Sequence, residues 1–241
     1  MTSRGLRSGS ALTYGARMKR VSRVVSALVL STALAAAGLG AAEAAPTKVL
    51  TKPQMRAALL TVKDLPAGFK LDQSSSKGTG SDDVQYLSND PGCAALTGGL
   101  NGSVDRSTTA TRDFTLNHGM EAVQVGLTGF RTAAAVRKDF SGGTRLFRSC
   151  HRVGLDMGDG TKLWLAVQQK TVRLDGNQTF VLTMKGRYMS VLMNMALEVS
   201  QVRNYEVEVM SLGVNRSAAY ESRQATALLR AQTAKLVQHL R

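Results

Sequence analysis

Hydrophobic positions recur with helical spacing in three stretches of the chain. The clearest stretch covers 132–150, and a second covers 51–60, with a proline in its first turn, where the missing N–H does no harm. The third begins after Ser217, which is a candidate N-cap, as Thr132 is for the central helix. The central helix is predicted to bury one face, made of Val136, Phe140, Gly143, Phe147 and Cys150. The last helix has its own stripe, made of Ala225, Leu228, Leu229, Gln232, Leu236, Val237 and Leu240.

Between and after these helices the pattern changes to an alternation of apolar and polar residues, which is typical of β-strands. Two strands flank a turn at 118–119, and four more are predicted in the roughly sixty residues after Cys150, with turns at 175–177 and 203–204. The order of helix, hairpin, helix, four strands and helix predicts an α+β fold, a central antiparallel β-sheet packed by helices. The segment 73–83 contains no apolar residue and is expected to be a mobile loop.

Residues 1–44 have the layout of a cleaved secretory signal peptide. Six basic residues and no acid lie within 1–23, an uncharged run covers 24–42, and an Ala-x-Ala site favours cleavage after Ala44. An uncleaved anchor is the alternative, but the run is mostly Ala, Ser, Thr and Gly. Met18 is a second possible start. No cysteine lies near the cleavage site to form a lipobox, so we expect residues 45–241 to be a secreted single domain without a stable membrane anchor.

The charge is strongly basic, at +14 with 31 Lys and Arg against 17 Asp and Glu. Removing residues 1–44 takes away six basic residues and Glu43, which leaves 25 against 16, or +9. Such a charge favours anionic partners, and a solvated surface is the alternative. Aromatic residues are only 5% of the chain and do not interleave with basic ones, so no nucleic-acid partner is expected.

A basic stripe is predicted on the outside of the central helix, and it is the candidate contact for an anionic cell-envelope component. Its members are Arg137, Arg145, Arg148 and Arg152. Only Asp139 opposes them in sequence, and the alternative is a solvated helix face. Gly142 and Gly143 could interrupt the helix and break the stripe, since each glycine costs about 1 kcal/mol relative to Ala.

The chain has two cysteines, Cys93 and Cys150. In an oxidising exterior they are expected to pair, and a crosslink over 57 residues would contribute about 4 kcal/mol. Two free thiols or a bridge between two chains are the alternatives, and the even count argues mildly against both.

The sequence offers little for catalysis or cofactors. None of the three histidines has metal-ligand spacing, and no nucleophile-elbow, Walker or dinucleotide motif occurs, so neither an enzyme, a cofactor nor a metal site is expected. A small extracellular hydrolase using His118 with Asp113 or Asp105 is the alternative. Met193 and Met195 would share a sheet face and form a candidate apolar ligand pocket, although methionines there are more often ordinary core.

Four short stretches resemble the PknH-like extracellular sensor domains of actinobacterial receptor kinases, lipoproteins and secreted proteins. They are the run LTVKDLPAGF over 60–69, the helix from Phe130 to Cys150, the turn over 174–179 and the hairpin over 202–207. The resemblance implies an α+β domain with an antiparallel sheet, a disulfide, a cleft for an unidentified ligand and no catalytic residues. We expect the chain to depart from that family in lacking a kinase and a membrane tether, and in having one cysteine pair where kinase-linked members have two.

These observations together predict a secreted, non-enzymatic ligand-binding or sensor-like module of the cell envelope. Its expected partner is an unknown small molecule or an anionic envelope component. A basic protein held on anionic wall polymers or lipids, and the hydrolase, are the alternative functions. The sequence makes no prediction of the oligomeric state.

Overall fold

The computed structural model describes residues 48–72, 85–87, 93, 106–156, 162–188 and 190–241. The predicted signal peptide and the predicted loop over 73–83 lie outside these residues.

Three α-helices lie in the described part of the chain: α1 (Lys52–Ala58), α2 (Ala133–Arg148) and α3 (Ala218–His239). Both predicted N-caps are confirmed, because the Thr132 hydroxyl accepts from Ala135 N at 3.1 Å and the Ser217 hydroxyl accepts from Tyr220 N at 3.1 Å. Within the described residues, no helix combines the length and the apolar character needed to cross a membrane.

Nine strands of the described residues form one sheet. They are β1 (Lys70–Leu71), β2 (Gln85–Leu87), β3 (Arg106–Leu116), β4 (Glu121–Phe130), β5 (Arg152–Asp156), β6 (Lys162–Leu174), β7 (Asn177–Tyr188), β8 (Val191–Val202) and β9 (Tyr205–Val214). Their order is β1-β3-β4-β9-β8-β7-β6-β5-β2, and every neighbouring pair is antiparallel. The predicted α+β fold with a central antiparallel sheet is therefore confirmed.

The hairpin β3–β4 and the meander β5–β9 are joined by the pairing of β4 with β9. This long-range pairing places the central part of the sheet, β4, β9 and β8, between two hydrophobic clusters. One cluster lies under α2 and includes Phe140, Phe147 and Leu197, whereas the other lies under α1 and α3 and includes Met55 and Leu229. Helices therefore cover both faces of the sheet.

The disulfide between Cys93 and Cys150 is confirmed, with a Cα–Cα distance of 4.6 Å. Cys150 lies two residues beyond the end of α2, and its N–H donates to Phe147 O at 3.1 Å. The crosslink therefore fixes the carboxyl end of α2 to Cys93.

The apolar face of α2 is buried as predicted, and the helix continues through Gly142 and Gly143 without a break. The prediction that Arg152 belongs to the helical stripe is wrong. The helix ends at Arg148 because Ser149 adopts φ −103° and ψ 1°, and Arg152 begins strand β5, which the sequence analysis missed.

Candidate functional site

A cleft of about 520 Å³ opens between the turn that follows α1 and the outer side of α3. One wall consists of Asp64, Leu65 and Pro66, and the other is the α3 surface between 220 and 231. The α3 wall is made of Tyr220, Arg223, Gln224, Ala227, Leu228 and Ala231. Ligand sites typically combine apolar walls with a few convergent polar groups, as this cleft does.

The turn has its shape because of its local sequence. Val62–Asp64 form a 3₁₀ turn, in which the Asp64 carboxylate accepts from the Thr61 N–H at 2.6 Å and from its hydroxyl at 2.9 Å. Pro66 disfavours helical backbone at the residue before it, and Leu65 is extended with φ −101° and ψ 161°. Gly68 then takes φ +96°, which favours glycine, and Phe69 is buried.

Gln232 of α3 ties the end of α1 to α3. Its side chain is fully buried, its Oε1 accepts from Leu60 N at 2.8 Å, and its Nε2 donates to Ala58 O at 2.8 Å. The last carbonyls of a helix have no partner within the helix, and the N–H of the residue beyond it also needs an acceptor. One amide side chain therefore supplies both bonds and fixes the distance between the two walls.

Arg112 of β3 contacts the same end of α1 from the side of the sheet. Its guanidinium donates to the carbonyls of Leu60 at 2.5 Å, Arg56 at 3.0 Å and Leu59 at 3.3 Å. A cation beside the carboxyl end of a helix also interacts favourably with the helix dipole. Arg112 belongs to the sheet and Gln232 to α3. The sheet and α3 therefore together fix the end of α1 and the turn that follows it.

Asp64 provides a negative charge at the rim of the cleft. Burial raises its pKa, but hydrogen bonds from Lys235 and Thr61, with the charge of Lys235, lower the pKa to about 2. The Lys235 ammonium lies 2.9 Å from the carboxylate and links α3 to the turn. Asp64 is therefore ionised at neutral pH and already has a cationic partner.

Polar groups of α3 complete the cleft. Gln224 Oε1 accepts from Ser211 Oγ at 3.3 Å, whereas its Nε2 is buried and finds no acceptor among the described residues. Arg223 is exposed beside it. The Arg216 guanidinium stacks on the Tyr220 ring at 5.1 Å and pairs with the Glu121 carboxylate at 2.8 Å. The cleft therefore offers a guanidinium donor, that of Arg223, next to an apolar wall.

Two buried carboxyl groups, one on α3 and one on β8, lie between this part of α3 and the sheet. Burial raises the pKa of Glu221, which accepts from Ser211 Oγ at 2.5 Å, and the charge of Glu121 raises it further. Burial also raises the pKa of Glu198, although the Thr226 hydroxyl donates to it at 2.6 Å. Both groups therefore favour the protonated form more than an exposed glutamate does.

The predicted arginine stripe does not line this cleft. Arg137, Arg145 and Arg148 are exposed on α2, which covers the opposite face of the sheet. Asp139, their only acidic neighbour in sequence, is 2% exposed and lies between α2 and the sheet. Arg152 stands on β5, where its guanidinium lies 4.7 Å from the centre of the Trp164 ring.

Met193 and Met195 are each 1% exposed and lie in the core under α2. The gap beside them is lined by Leu163, Leu165 and Met184 among others, and it has no space for a water molecule. The structure does not bring these methionines to the cleft.

The backbone places His118 in the 3₁₀ turn between β3 and β4. Of its two suggested partners, Asp113 accepts from Gln124 Nε2 at 2.6 Å, and Asp105 lies outside the described residues. Among the described side chains, no three of His, Cys, Asp and Glu are grouped so that they could hold a metal ion.

The residues of the α3 wall were missed by the sequence analysis. The turn over 64–68 stands out by its proline and glycine, but Arg223 and Gln224 look like ordinary residues on the polar face of an amphipathic helix. Only the packing of the turn against α3 reveals them as part of a cleft.

No protein-family model matches the chain, and a search of curated proteins finds no significant match. Among solved structures, the extracellular domain of PknH from Mycobacterium tuberculosis matches with a TM-score of 0.54 and 11% identity, covering 78% of this chain and 98% of that one. The chain has the fold of the PknH extracellular domain. The resemblance expected from the sequence motifs is thus confirmed at the level of the fold.

Two further structures are similar at lower scores. The Rv0999 ortholog from Mycobacterium smegmatis has a TM-score of 0.38 and 13% identity over 71% of this chain and 92% of that one. Cyanobacterial PsbP from Synechocystis has a TM-score of 0.27 and 10% identity over 83% and 96%.

Proposed function

We propose that the protein is a secreted, non-enzymatic, sensor-like module that binds a small molecule in the cleft between the turn after α1 and α3. The cleft itself is the observation that carries this proposal. Its volume of about 520 Å³ is within the range of small-molecule sites, and apolar and polar groups meet there. The fold shared with the extracellular domain of PknH supports an extracellular role.

The lining indicates the chemistry of the ligand. Leu65, Pro66 and Leu228 offer an apolar surface, and the exposed Arg223 guanidinium offers hydrogen-bond donors. Because Asp64 already pairs with Lys235, the donors outweigh the acceptors. The ligand is therefore an amphiphilic molecule that accepts hydrogen bonds or carries one negative charge.

A cleft-filling variant tests this proposal. Ala227 is exposed on the α3 wall, so Ala227→Trp fills the cleft without disturbing the core. Ala234, exposed two turns further along α3 and outside the cleft, provides the matched control Ala234→Trp.

The assay is a thermal-shift screen of amphiphilic anions and neutral acceptors against the wild type and both variants. We expect some compounds to raise the melting temperature of the wild type and of Ala234→Trp but not that of Ala227→Trp. Stabilisation that is equal in all three proteins, or absent in all, would overturn the proposal.

A further inference from the structure

A second surface, on the same side of the sheet as α3 but beyond its edge, carries exposed basic residues. Along β6 the residues Leu163, Leu165 and Val167 are buried towards α2, so the alternate positions 164, 166, 168 and 170 face the other way. α3 packs mainly over β8 and β9, and Lys170, Lys185 and Arg187 are exposed.

The strand register brings three basic residues of this face close to one aromatic ring, and a fourth, Lys170, lies further along β6. Arg187 is paired with Trp164, and Ala166 lies between Arg152 on one side and Lys185 on the other. Lys170 follows two positions beyond Gln168 on the same strand. We refer to Arg152, Trp164, Lys170, Lys185 and Arg187 as the basic sheet face.

The contact between Trp164 and Arg152 gives one basic group of this face a defined position. The Arg152 guanidinium lies 4.7 Å from the centre of the Trp164 ring, in cation–π contact across neighbouring strands. Gly154, which is paired with Trp164, has no side chain to compete for that position. The ring therefore holds one guanidinium in place before any partner arrives.

Positions two apart on a strand are separated by about 6.6 Å, and positions on alternate strands by about 9.6 Å. The basic groups therefore form an extended array over three strands. Asp156 is paired with Lys162 at the far end of β5, outside the array. An array of this kind matches a linear partner with repeated charges better than a single small anion.

We propose that the basic sheet face binds a linear phosphodiester polymer that carries no aromatic bases. Guanidinium and ammonium groups recognise phosphate oxygens, and the array spreads these groups over several repeats. Sites for single-stranded nucleic acid use free aromatic rings for base stacking, whereas Arg152 lies over the ring here. Membrane-surface sites insert apolar side chains, and basic residues surround Trp164 instead. This surface is separate from the cleft, so the two proposals can fail independently.

The test uses purified full-length protein and a synthetic glycerol-phosphate oligomer of about ten units, at about 50 mM salt. Trp164 is the only tryptophan in the chain, so intrinsic fluorescence reports directly on this face. Calorimetry measures the affinity of every variant. We expect a saturable change in Trp164 fluorescence on adding the oligomer to the wild type.

The sheet-face variant combines Arg152→Gln, Lys185→Gln and Arg187→Gln. The matched control removes the same charge from α2 and combines Arg137→Gln, Arg145→Gln and Arg148→Gln. All six side chains are exposed, so both variants should keep the wild-type melting temperature. A third variant, Lys185→Gln with Arg187→Gln, leaves the contact of Arg152 with Trp164 intact.

We expect the sheet-face variant to lose affinity by at least about tenfold and the control by less than about threefold, with the third variant between them. Equal losses in the sheet-face variant and the control, or no binding by the wild type, would overturn the proposal. Polygalacturonate, single-stranded DNA of equal charge and phosphatidylglycerol vesicles serve as competitors. Tighter binding of any of these at the same residues would also overturn it, because it would assign the face to a different partner.

Discussion

Replacing Gln232 by methionine should separate the turn after α1 from α3 while keeping the volume of the side chain almost unchanged. Gln232 is fully buried and makes two 2.8 Å hydrogen bonds, from Leu60 N and to Ala58 O. Methionine can make neither of them. Both backbone groups would then be left without a partner at a site from which water is excluded.

The expected cost follows from these two bonds. A buried polar group that loses its partner costs about 1–3 kcal/mol, so two such groups cost between about 2 and 6 kcal/mol. Arg112 donates to the neighbouring carbonyl of Leu60 but cannot replace the acceptor that the Leu60 N–H loses. We therefore expect Gln232→Met to lower the free energy of unfolding by about 3 kcal/mol.

Urea unfolding measures this loss, and hydrogen exchange at the Leu60 amide localises it. Lys235→Met is the matched control, because it removes the partly exposed ion pair to Asp64 from the same helix and should cost less than about 1 kcal/mol. Unfolding free energies within about 1 kcal/mol of the wild type for Gln232→Met would refute the reasoning, as would equal costs for the two variants.

Three further predictions concern the disulfide and two titrating groups. The double variant Cys93→Ser, Cys150→Ser should lose about 4 kcal/mol of unfolding free energy in urea, given the 57-residue separation, and a loss below about 1 kcal/mol would contradict this. Because burial raises the pKa of Glu221, the stability that it contributes is present below pH 4.5 and lost as the pH rises through the folded-state pKa. Melting temperatures of Glu221→Gln should therefore exceed those of the wild type increasingly towards neutral pH, and parallel pH profiles would speak against it. Burial raises the pKa of Asp64, but hydrogen bonds from Lys235 and Thr61 lower this pKa to about 2. The ionised carboxylate therefore contributes stability that is fully present above pH 3.8 and is lost as the pH falls through 2. Asp64→Asn should remove up to about 1 kcal/mol of this acid-dependent stability, since the side chain is 34% exposed, and an unchanged acid profile would contradict the assignment.

The features predicted correctly from the sequence are those determined by nearby residues. The buried face of α2 follows from the spacing of Val136, Phe140 and Phe147, and the caps of α2 and α3 follow from single hydroxyl residues at the helix starts. Turns with positive φ at Asp175 and Arg203 likewise fall where the alternation of the strands is interrupted.

The features that were missed depend on distant pairing. Gln232 looks like an interruption of an apolar stripe, because its partners lie 172 and 174 residues away. Arg152 continues the spacing of the α2 arginines, and only its pairing with Ala166 shows that it belongs to a strand. The cleft arises from the contact of two elements at opposite ends of the described chain, which no local pattern encodes.

The most direct test of the proposed function is amide chemical-shift mapping by NMR with a compound selected in the thermal-shift screen. Ligand binding in the cleft predicts that the largest shifts occur at Leu65, Arg223 and Ala227, on the two walls, and that Ala227→Trp abolishes them. Shifts confined to other parts of the molecule, or shifts that persist in Ala227→Trp, would contradict the assignment of the cleft as the binding site.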